Sequence, residues 1–147
     1  MGFLTGKKAL IVGVASNRSI AWGIAESMAA NGCEVAFTYQ TEKLKGRVEK
    51  CAEICNSSIV IPCDVSSDEQ INETFDELKN SWDNFDILIH SVAFAERAEL
   101  DGNYLEVTTR EGFLKAHEIS SYSFTALAKA AMPMLNENGA LLTLSYL

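Results

Sequence analysis

The chain has 147 residues, of which 48% are hydrophobic, 22% are charged, two are prolines and nine are glycines. This length and composition predict one packed domain, and they exclude a disordered or fibrous protein. The formal net charge of -8 would repel a nucleic-acid backbone, and the sequence has no basic patch to offset it, so we expect no nucleic-acid partner.

The first residues, MGFLTGKKALIVGVAS, have two lysines before a short apolar run, which is the outline of a secretory signal. The run is short for a signal core and leads directly into a glycine turn and an amphipathic segment. A buried strand is therefore the better interpretation. No apolar run reaches the ~18 residues of a membrane span, and Gly6 breaks the myristoylation pattern. We expect a cytoplasmic protein without a membrane partner.

Apolar runs typical of strands alternate along the chain with amphipathic segments of helix length. The five runs are KKALIVGV (7 to 14), CEVAFTY (33 to 39), SIVIPCD (58 to 64), FDILIHSVA (85 to 93) and GALLTLSY (139 to 146). Strands that are apolar on both faces need cover on both faces, which indicates parallel strands joined by helical crossovers. The pattern predicts an α/β fold with a doubly wound, Rossmann-type parallel sheet.

Hydrophobic periodicity predicts the faces of three helices. On the first helix the predicted core face is Ile20, Gly23, Ile24, Ser27 and Met28. On another it is Ile71, Phe75, Leu78 and Trp82, after a capping box formed by Ser67 and Gln70. A long helix is expected from Thr109 to about Leu135, ending at the Asn138-Gly139 turn signal. Its predicted core face is Phe124, Leu127, Ala128, Ala131 and Leu135.

The cysteines and histidines do not form a recognisable metal or catalytic pattern. Cys51 and Cys55 fall on one helical face with apolar residues, which predicts that they pack as small hydrophobic side chains. Cys33 has no CxxC spacing, and we expect no metal site. His90 and His117 lack a catalytic partner in the sequence, so packed or capped histidines are expected.

The turn that follows the first predicted strand is a candidate phosphate-binding site. Gly13 permits close backbone approach there, and the head of the next helix offers unpaired amides and a positive dipole end to a diphosphate. The spacing departs from G-x-G-x-x-G, since Ala15 and Ser19 occupy positions where other dinucleotide-binding proteins have glycine. An ordinary tight turn remains an alternative interpretation.

The variant pattern G-V-A-S-x-x-S-I-A-x-G-I-A resembles the glycine loop of the enoyl-acyl-carrier-protein reductases, a divergent family of short-chain dehydrogenases/reductases. Similar segments continue along the whole chain. They are MGFLTGKK at the start, AFTYQTEKLKGRVE (36 to 49), CDV (63 to 65), HSVAFA (90 to 95), VTTREGF (107 to 113), ISSYSF (119 to 124) and LLTLSYL (141 to 147). A typical member of the superfamily would instead have Thr-Gly-x-x-x-Gly-x-Gly and Asn-Asn-Ala-Gly.

The resemblance implies a set of cofactor-binding residues. It assigns Gly13, Ser19 and Ile20 to the diphosphate and nicotinamide side of the cofactor. It assigns Gln40 to the adenosine end, and Asp64 and Val65 to the adenine. Ser91 and Val92 are expected to run beneath the cofactor. For Asp64 a helix or turn cap is the alternative, and for Ser91 and Val92 it is the end of a buried strand.

The resemblance also implies the substrate side of the site. Ala95 is expected beside the acyl substrate, and Tyr146 is expected to donate a hydrogen bond to the developing enolate as a catalytic residue. For Tyr146 the alternative is a tyrosine that packs at the end of a strand. A second tyrosine and a lysine, in a Tyr-x6-Lys pair, would follow Leu147.

The expected cofactor is NADH, because Gln40 is neutral where an arginine would favour a 2'-phosphate. NADPH is a weaker alternative, for which Lys43, Lys45 and Arg47 could supply positive charge. The implied reaction reduces a trans-2-enoyl-acyl-carrier-protein in type II fatty acid synthesis. Two alternatives stay open: a related reductase that acts on a carbonyl, and a non-catalytic nucleotide-binding fragment.

We expect residues 1 to 147 to form a dinucleotide-binding domain that lacks its C-terminal part, with little turnover on its own. Its fifth strand would then be an apolar sheet edge. The implied partners are the enoyl thioester on an acyl carrier protein and further copies of the chain, in a homotetramer built from dimers. Since the carrier protein is itself acidic, any attraction between the two must be local.

Overall fold

The structure is a computed structural model and describes residues 2 to 145. Its sheet has five parallel strands in the order β3-β2-β1-β4-β5. The strands are β1 (Lys8–Val12), β2 (Glu34–Tyr39), β3 (Val60–Pro62), β4 (Phe85–His90) and β5 (Leu135–Thr143). This order is that of a doubly wound sheet, so the predicted fold class is confirmed.

The central strands are buried on both faces, as their continuous apolar runs predict. Leu10 and Ile11 of β1 are both fully buried, and they belong to separate clusters on opposite faces of the sheet. Leu10 packs with Ile71 and Phe75, whereas Ile11 packs with Trp22. Each face therefore has its own hydrophobic core under its own helices.

The helices are α1 (Ile20–Ala30), α2 (Glu42–Ile54), α3 (Asp68–Leu78), α4 (Tyr104–Val107), α5 (Arg110–His117) and α6 (Ser123–Ala131). The predicted core face of α1 is only partly correct. Met28 is buried and Ile24 packs partly buried against the core, but Ile20 is 69% exposed and Ser27 is also exposed. The other buried residues of α1 are Ala21, Trp22 and Ala25. The large indole of Trp22 determines the buried face, and Ile20 is left at the head of the helix.

The predicted core face of α3 is confirmed, because Ile71, Phe75, Leu78 and Trp82 are all buried. Only half of its capping box forms. The Gln70 amide donates to Ser67 Oγ at 3.2 Å. The Gln70 side chain, however, accepts a hydrogen bond from the Asp64 amide at 3.0 Å and so braces the turn that follows β3.

The predicted single helix from Thr109 to Leu135 is interrupted. A π-helical turn, Glu118–Tyr122, separates α5 from α6, and α6 ends at Ala131. The buried residues of α6 are Ser123, Ala126, Leu127 and Ala131, so the predicted face is only partly correct. The π-turn adds a residue to one turn, which rotates the following face away from the one that a continuous 3.6-residue period predicts.

The Asn138-Gly139 pair does not end a helix, as the turn signal predicted. It lies within β5, where the register of pairing shifts between Phe85↔Leu135 and Ile87↔Ala140. β5 pairs with β4 and is otherwise an edge among the described residues, and its Leu141 and Leu142 are 41% and 44% exposed. The expectation of an apolar edge at the fifth strand is confirmed for this part of the chain.

All four cysteines have free thiols, and Cys33, Cys51 and Cys63 are buried. Burial, with smaller contributions from Asp86 and Glu34, raises the pKa of Cys33 to about 11. These thiols stay neutral and pack as hydrophobic side chains. Separately, no helix within residues 2 to 145 is both long and apolar enough to cross a membrane.

Candidate functional site

The carboxyl ends of β1 and β4 meet at the centre of the sheet, where the chain order reverses. Open α/β sheets bind ligands at this point. The Ser91 amide donates to the Val12 carbonyl at 2.9 Å, which extends the pairing of the two strands by one residue. Gly13 follows with φ of +117°, and a Cβ there would collide with the Ser91 carbonyl oxygen. Glycine is therefore required by the close approach of the two chain segments.

A first cleft of about 190 Å³ lies above the ends of β1, β2 and β4 and beside the turn after β3. It is lined by Val12, Gly13, Val14, Ala15, Thr38, Gln40, Leu44, Cys63, Val65, Ser91, Val92 and Ala93. Five residues predicted to bind the cofactor, Gly13, Gln40, Val65, Ser91 and Val92, thus lie around one space although they come from four separate stretches of chain.

A second cleft of about 320 Å³ is formed between the head of α1 and the ends of β4 and β5. It is lined by Gly13, Ser19, Ile20, Ser91, Val92, Ala93, Leu144 and Ser145. The first and second clefts share Gly13 and residues 91 to 93. Together they form an elongated groove that runs across the carboxyl edge of the sheet, as an extended ligand such as a dinucleotide requires.

Ser19 fixes the loop between β1 and α1 in the centre of this groove. Its Oγ accepts hydrogen bonds from the amides of Ala15 at 3.0 Å and Ser16 at 3.1 Å. Within residues 2 to 145, the amides of Ile20 and Ala21 donate to no other group of the protein. Hydrogen bonds within the protein thus hold the loop in place, while the first-turn amides and the positive end of α1 remain available to an anion.

Three predicted site residues lie outside the two clefts or outside the described chain. Asp64 Oδ1 accepts from the Ser66 amide at 3.0 Å and from Ser66 Oγ at 2.8 Å, so this oxygen caps the turn after β3. Ala95 follows β4 beyond the residues that line the clefts and is partly buried. Tyr146 lies outside the described residues.

His90 is fully buried at the end of β4, directly before Ser91. Its Nδ1 lies 2.8 Å from Thr143 Oγ1 on β5, and its Nε2 lies 2.8 Å from Ser123 Oγ on α6. Burial lowers the pKa of His90 below its ordinary value. A neutral ring that joins two strands and a helix is a structural role, which confirms the expectation of a packed histidine. His117 bonds locally, because its Nδ1 donates to the Phe113 carbonyl at 3.0 Å.

The basic residues considered for NADPH, Lys43, Lys45 and Arg47, are not among the residues that line the cleft containing Gln40. Lys45 Nζ lies over the ring of Tyr39, 5.7 Å from its centroid. Arg47 lines a separate cleft of about 560 Å³, together with Arg18 and Lys50. Gln40 therefore remains the polar side chain of the first cleft at the position that follows β2.

Several lining residues were not identified from the sequence. They are Thr38 and Cys63 in the first cleft, and Leu144 and Ser145 in the second. Each lies at the carboxyl end of a predicted strand or directly after it. The rule that parallel sheets bind ligands beyond these ends was the signal that could have identified them.

The strand order, the glycine turn at the switch point and the groove over the strand ends define a Rossmann-type protein of the dinucleotide-binding class. A family model described as enoyl-(acyl carrier protein) reductase matches residues 13 to 147. The chain belongs to this family.

Individual relatives agree with that assignment. The chain is 58% identical over 147 residues to the enoyl-[acyl-carrier-protein] reductase [NADH] FabI of Salmonella typhimurium and 56% identical to that of Escherichia coli. In both comparisons the match covers 100% of this chain and 56% of the relative. The chain thus spans about half the length of the curated relatives it matches.

Solved structures share the fold. The enoyl-[acyl-carrier-protein] reductase (NADH) of Aquifex aeolicus superposes with a TM-score of 0.95 at 46% identity, covering 99% of this chain and 57% of that one. The reductase of Anaplasma phagocytophilum, solved in complex with NAD, gives a TM-score of 0.93 at 43% identity, covering 99% of this chain and 56% of that one.

Proposed function

We propose that this chain is the dinucleotide-binding part of an NADH-dependent enoyl-acyl-carrier-protein reductase, which reduces trans-2-enoyl thioesters in type II fatty acid synthesis. The observation that carries the proposal is the groove that Gly13, Ser19, Ile20, Ser91 and Val92 line at the switch point of the sheet. Relatives that are 56–58% identical over the whole chain and are named NADH enoyl reductases support the choice of reaction.

The groove suits a dinucleotide laid across the sheet. The diphosphate would accept hydrogen bonds from the amides of Ile20 and Ala21 at the head of α1. The adenosine would occupy the first cleft, near Gln40 and Val65, and the nicotinamide would occupy the second, over Ser91 and Val92. Asp64 keeps its Oδ2 free of hydrogen bonds to other described residues, so it could still accept one from the adenine amine.

When bound in the groove, NADH would supply the hydride that the β-carbon of the enoyl thioester accepts, and negative charge would then develop on the thioester oxygen. We assign Tyr146 to donate a hydrogen bond to that oxygen, because a phenol hydroxyl is a hydrogen-bond donor that can stabilise a developing oxyanion. A proton from solvent, taken up at the α-carbon, would complete the saturated product. Ala95 would lie beside the acyl chain, where a small side chain leaves room.

NADH is the proposed coenzyme, since the cleft that would hold the adenosine presents the neutral Gln40 rather than a basic side chain. An arginine near the ribose would be needed to favour a 2'-phosphate. Arg18 and Arg47 line a different cleft.

The proposed setting is the cytoplasm, with no nucleic-acid or membrane partner. The substrate would arrive on an acyl carrier protein, and the working protein would be a homotetramer built from dimers. The acidic balance of this chain, -8, means that a carrier protein would need a local basic patch for docking. Residues 1 to 147 are proposed as one dinucleotide-binding domain.

A spectrophotometric assay of the full-length protein tests the function. Addition of crotonyl thioester should cause oxidation of NADH, with a lower KM for NADH than for NADPH. Binding of NADH without turnover would support a non-catalytic role instead, and a clear preference for NADPH would contradict the coenzyme assignment.

Replacement of Tyr146 by Phe tests the catalytic assignment. Loss of the hydroxyl should lower kcat by ~10²- to 10³-fold, which is the usual effect of removing one donor to a developing oxyanion. The dissociation constant of NADH should stay unchanged. The matched control is Tyr104→Phe, since Tyr104 is 64% exposed on α4 and should have no effect. Equal kcat values for the Tyr146 variant and wild type would overturn the assignment.

A further inference from the structure

The π-turn between α5 and α6 contacts the segment that follows β4, which contains the proposed substrate residue Ala95. Ser120 of the π-turn uses its hydroxyl twice on a single residue. Its Oγ accepts from the Phe94 amide at 2.9 Å and donates to the Phe94 carbonyl at 3.2 Å. Both backbone polar groups of Phe94 are thus satisfied by one side chain, as they would be by a neighbouring strand.

The other side of Ala95 is held from α5. Lys115 Nζ forms an ion pair with Glu96 Oε1 at 2.6 Å and lies 5.0 Å from the centroid of the Phe94 ring. The contacts of Ser120 and Lys115 therefore fall on the residues directly before and after Ala95. An exposed ion pair contributes little by itself, so Ser120 should be the stronger of the two contacts.

The same π-turn leads into the buried network of His90. Ser123 Oγ donates to the Ile119 carbonyl at 2.6 Å, which uses its only proton. The Nε2 of His90 must then be the donor to Ser123 Oγ, and Nδ1 must accept from the Thr143 hydroxyl. The end of β4 is thus joined to α6 and to β5 just before Ser91 begins the groove.

Resting on the proposed function, we propose that Ser120 is a positioning residue: through Phe94 it holds residues 93 to 96 in the conformation that receives the acyl substrate. The π-turn is the structural means, because its extra residue turns Ser120 toward Phe94 while Ser123 faces His90. Ser120 lines neither cleft of the groove, although it borders an adjoining cavity of about 350 Å³ that shares Val92 and Ala93 with the groove. Its side-chain hydrogen bonds go to Phe94 and not to the residues proposed to hold the cofactor. Its effect should therefore appear on the substrate and not on NADH.

The test is Ser120→Ala in the full-length protein. The KM for crotonyl thioester should rise about tenfold, which corresponds to the loss of one or two hydrogen bonds, with the dissociation constant of NADH unchanged. Hydrogen exchange of the Phe94 amide should quicken by a similar factor. Lys115→Gln, at an exposed residue, should raise the same KM by a smaller factor, and it serves as the test if Ser120→Ala does not fold.

The matched control is Ser81→Ala. It deletes the same hydroxyl from an exposed serine between α3 and the amino end of β4. An unchanged KM, or a KM that rises together with the NADH dissociation constant, would overturn the positioning role. A wild-type protein that does not reduce the thioester would instead count against the proposed function. The exchange rate of the Phe94 amide tests the hydrogen bonds between Ser120 and Phe94 without any turnover.

Discussion

Gly13 illustrates what single residues contribute to the site. The sequence predicts a glycine that lets a ligand approach the backbone. In the structure the neighbour that excludes a side chain is the Ser91 carbonyl at the end of β4. The same glycine therefore joins two strand ends and forms the floor of the groove. The residue type and its place were predictable, but the contact with Ser91 depends on strand order, which one local motif does not contain.

His90 provides a test of the buried network through pH. Its pKa is lowered by burial, so the folded protein keeps the ring neutral at pH values where the unfolded chain, with an ordinary pKa of 6.5, takes up a proton. Proton uptake by the unfolded state favours unfolding. The stabilisation of the folded protein by neutral His90 is complete above about pH 6.5. It is lost as the pH falls below that value, by at most about 1.4 kcal/mol per pH unit.

We therefore expect His90→Gln to cost stability at pH 8 and to cost progressively less between pH 6.5 and 5. The free energy of unfolding from urea titrations of the full-length protein measures this difference. Other titrating groups are common to both proteins and cancel. His117→Gln, at an exposed histidine, is the control for replacing a histidine by glutamine. A His90 penalty that is constant or grows toward low pH would contradict the proposed protonation state.

Among the helices, α3 forms only part of its predicted capping box, since the contact of Ser67 is present and that of the Gln70 side chain is not. Ser67 caps the helix as predicted, but Gln70 bonds the Asp64 amide rather than the Ser67 amide. The turn after β3 competes for the glutamine side chain. A capping-box pattern read from four residues cannot include that competitor, because it belongs to the preceding turn.

Ser67→Ala should lower the free energy of unfolding by ~1 kcal/mol, the usual cost of removing an N-cap side chain. Urea denaturation at constant pH measures it, with Ser81→Ala as the control that removes a hydroxyl without a cap. A loss in the Ser67 variant no larger than in the control would show that the cap contributes nothing to the stability of α3.

The elements that were wrongly predicted share a physical cause. Local periodicity placed the core face of α1 through Ile20, yet packing of Trp22 turned Ile20 to solvent. Local periodicity also predicted one continuous helix across Glu118–Tyr122, where the structure has a π-turn. The side-chain contacts of Ser120 and Ser123 stabilise this π-turn. The Asn138-Gly139 pair forms an irregularity in β5. In each case a tertiary contact overrode a local pattern.

For the molecule as a whole, the doubly wound fold class could be predicted because five apolar runs alternate with helices, and chirality restricts how such units connect. The structure supplies the strand order β3-β2-β1-β4-β5, and that order places the site at the ends of β1 and β4. The resemblance supplied Gln40, Val65, Ser91 and Val92, which line the groove. Thr38 and Leu144 were missed, because their part in the site depends on how far each strand extends beyond its neighbour.

We propose that the groove beginning at Gly13 holds a dinucleotide with its diphosphate at the head of α1. A crystal structure of the full-length protein, grown with saturating NADH, would show where the diphosphate lies. We expect diphosphate oxygens within hydrogen-bond distance, ~3 Å, of the Ile20 and Ala21 amides, with the nicotinamide over Ser91 and Val92. A diphosphate bound elsewhere, or an empty groove in those crystals, would disprove this binding mode.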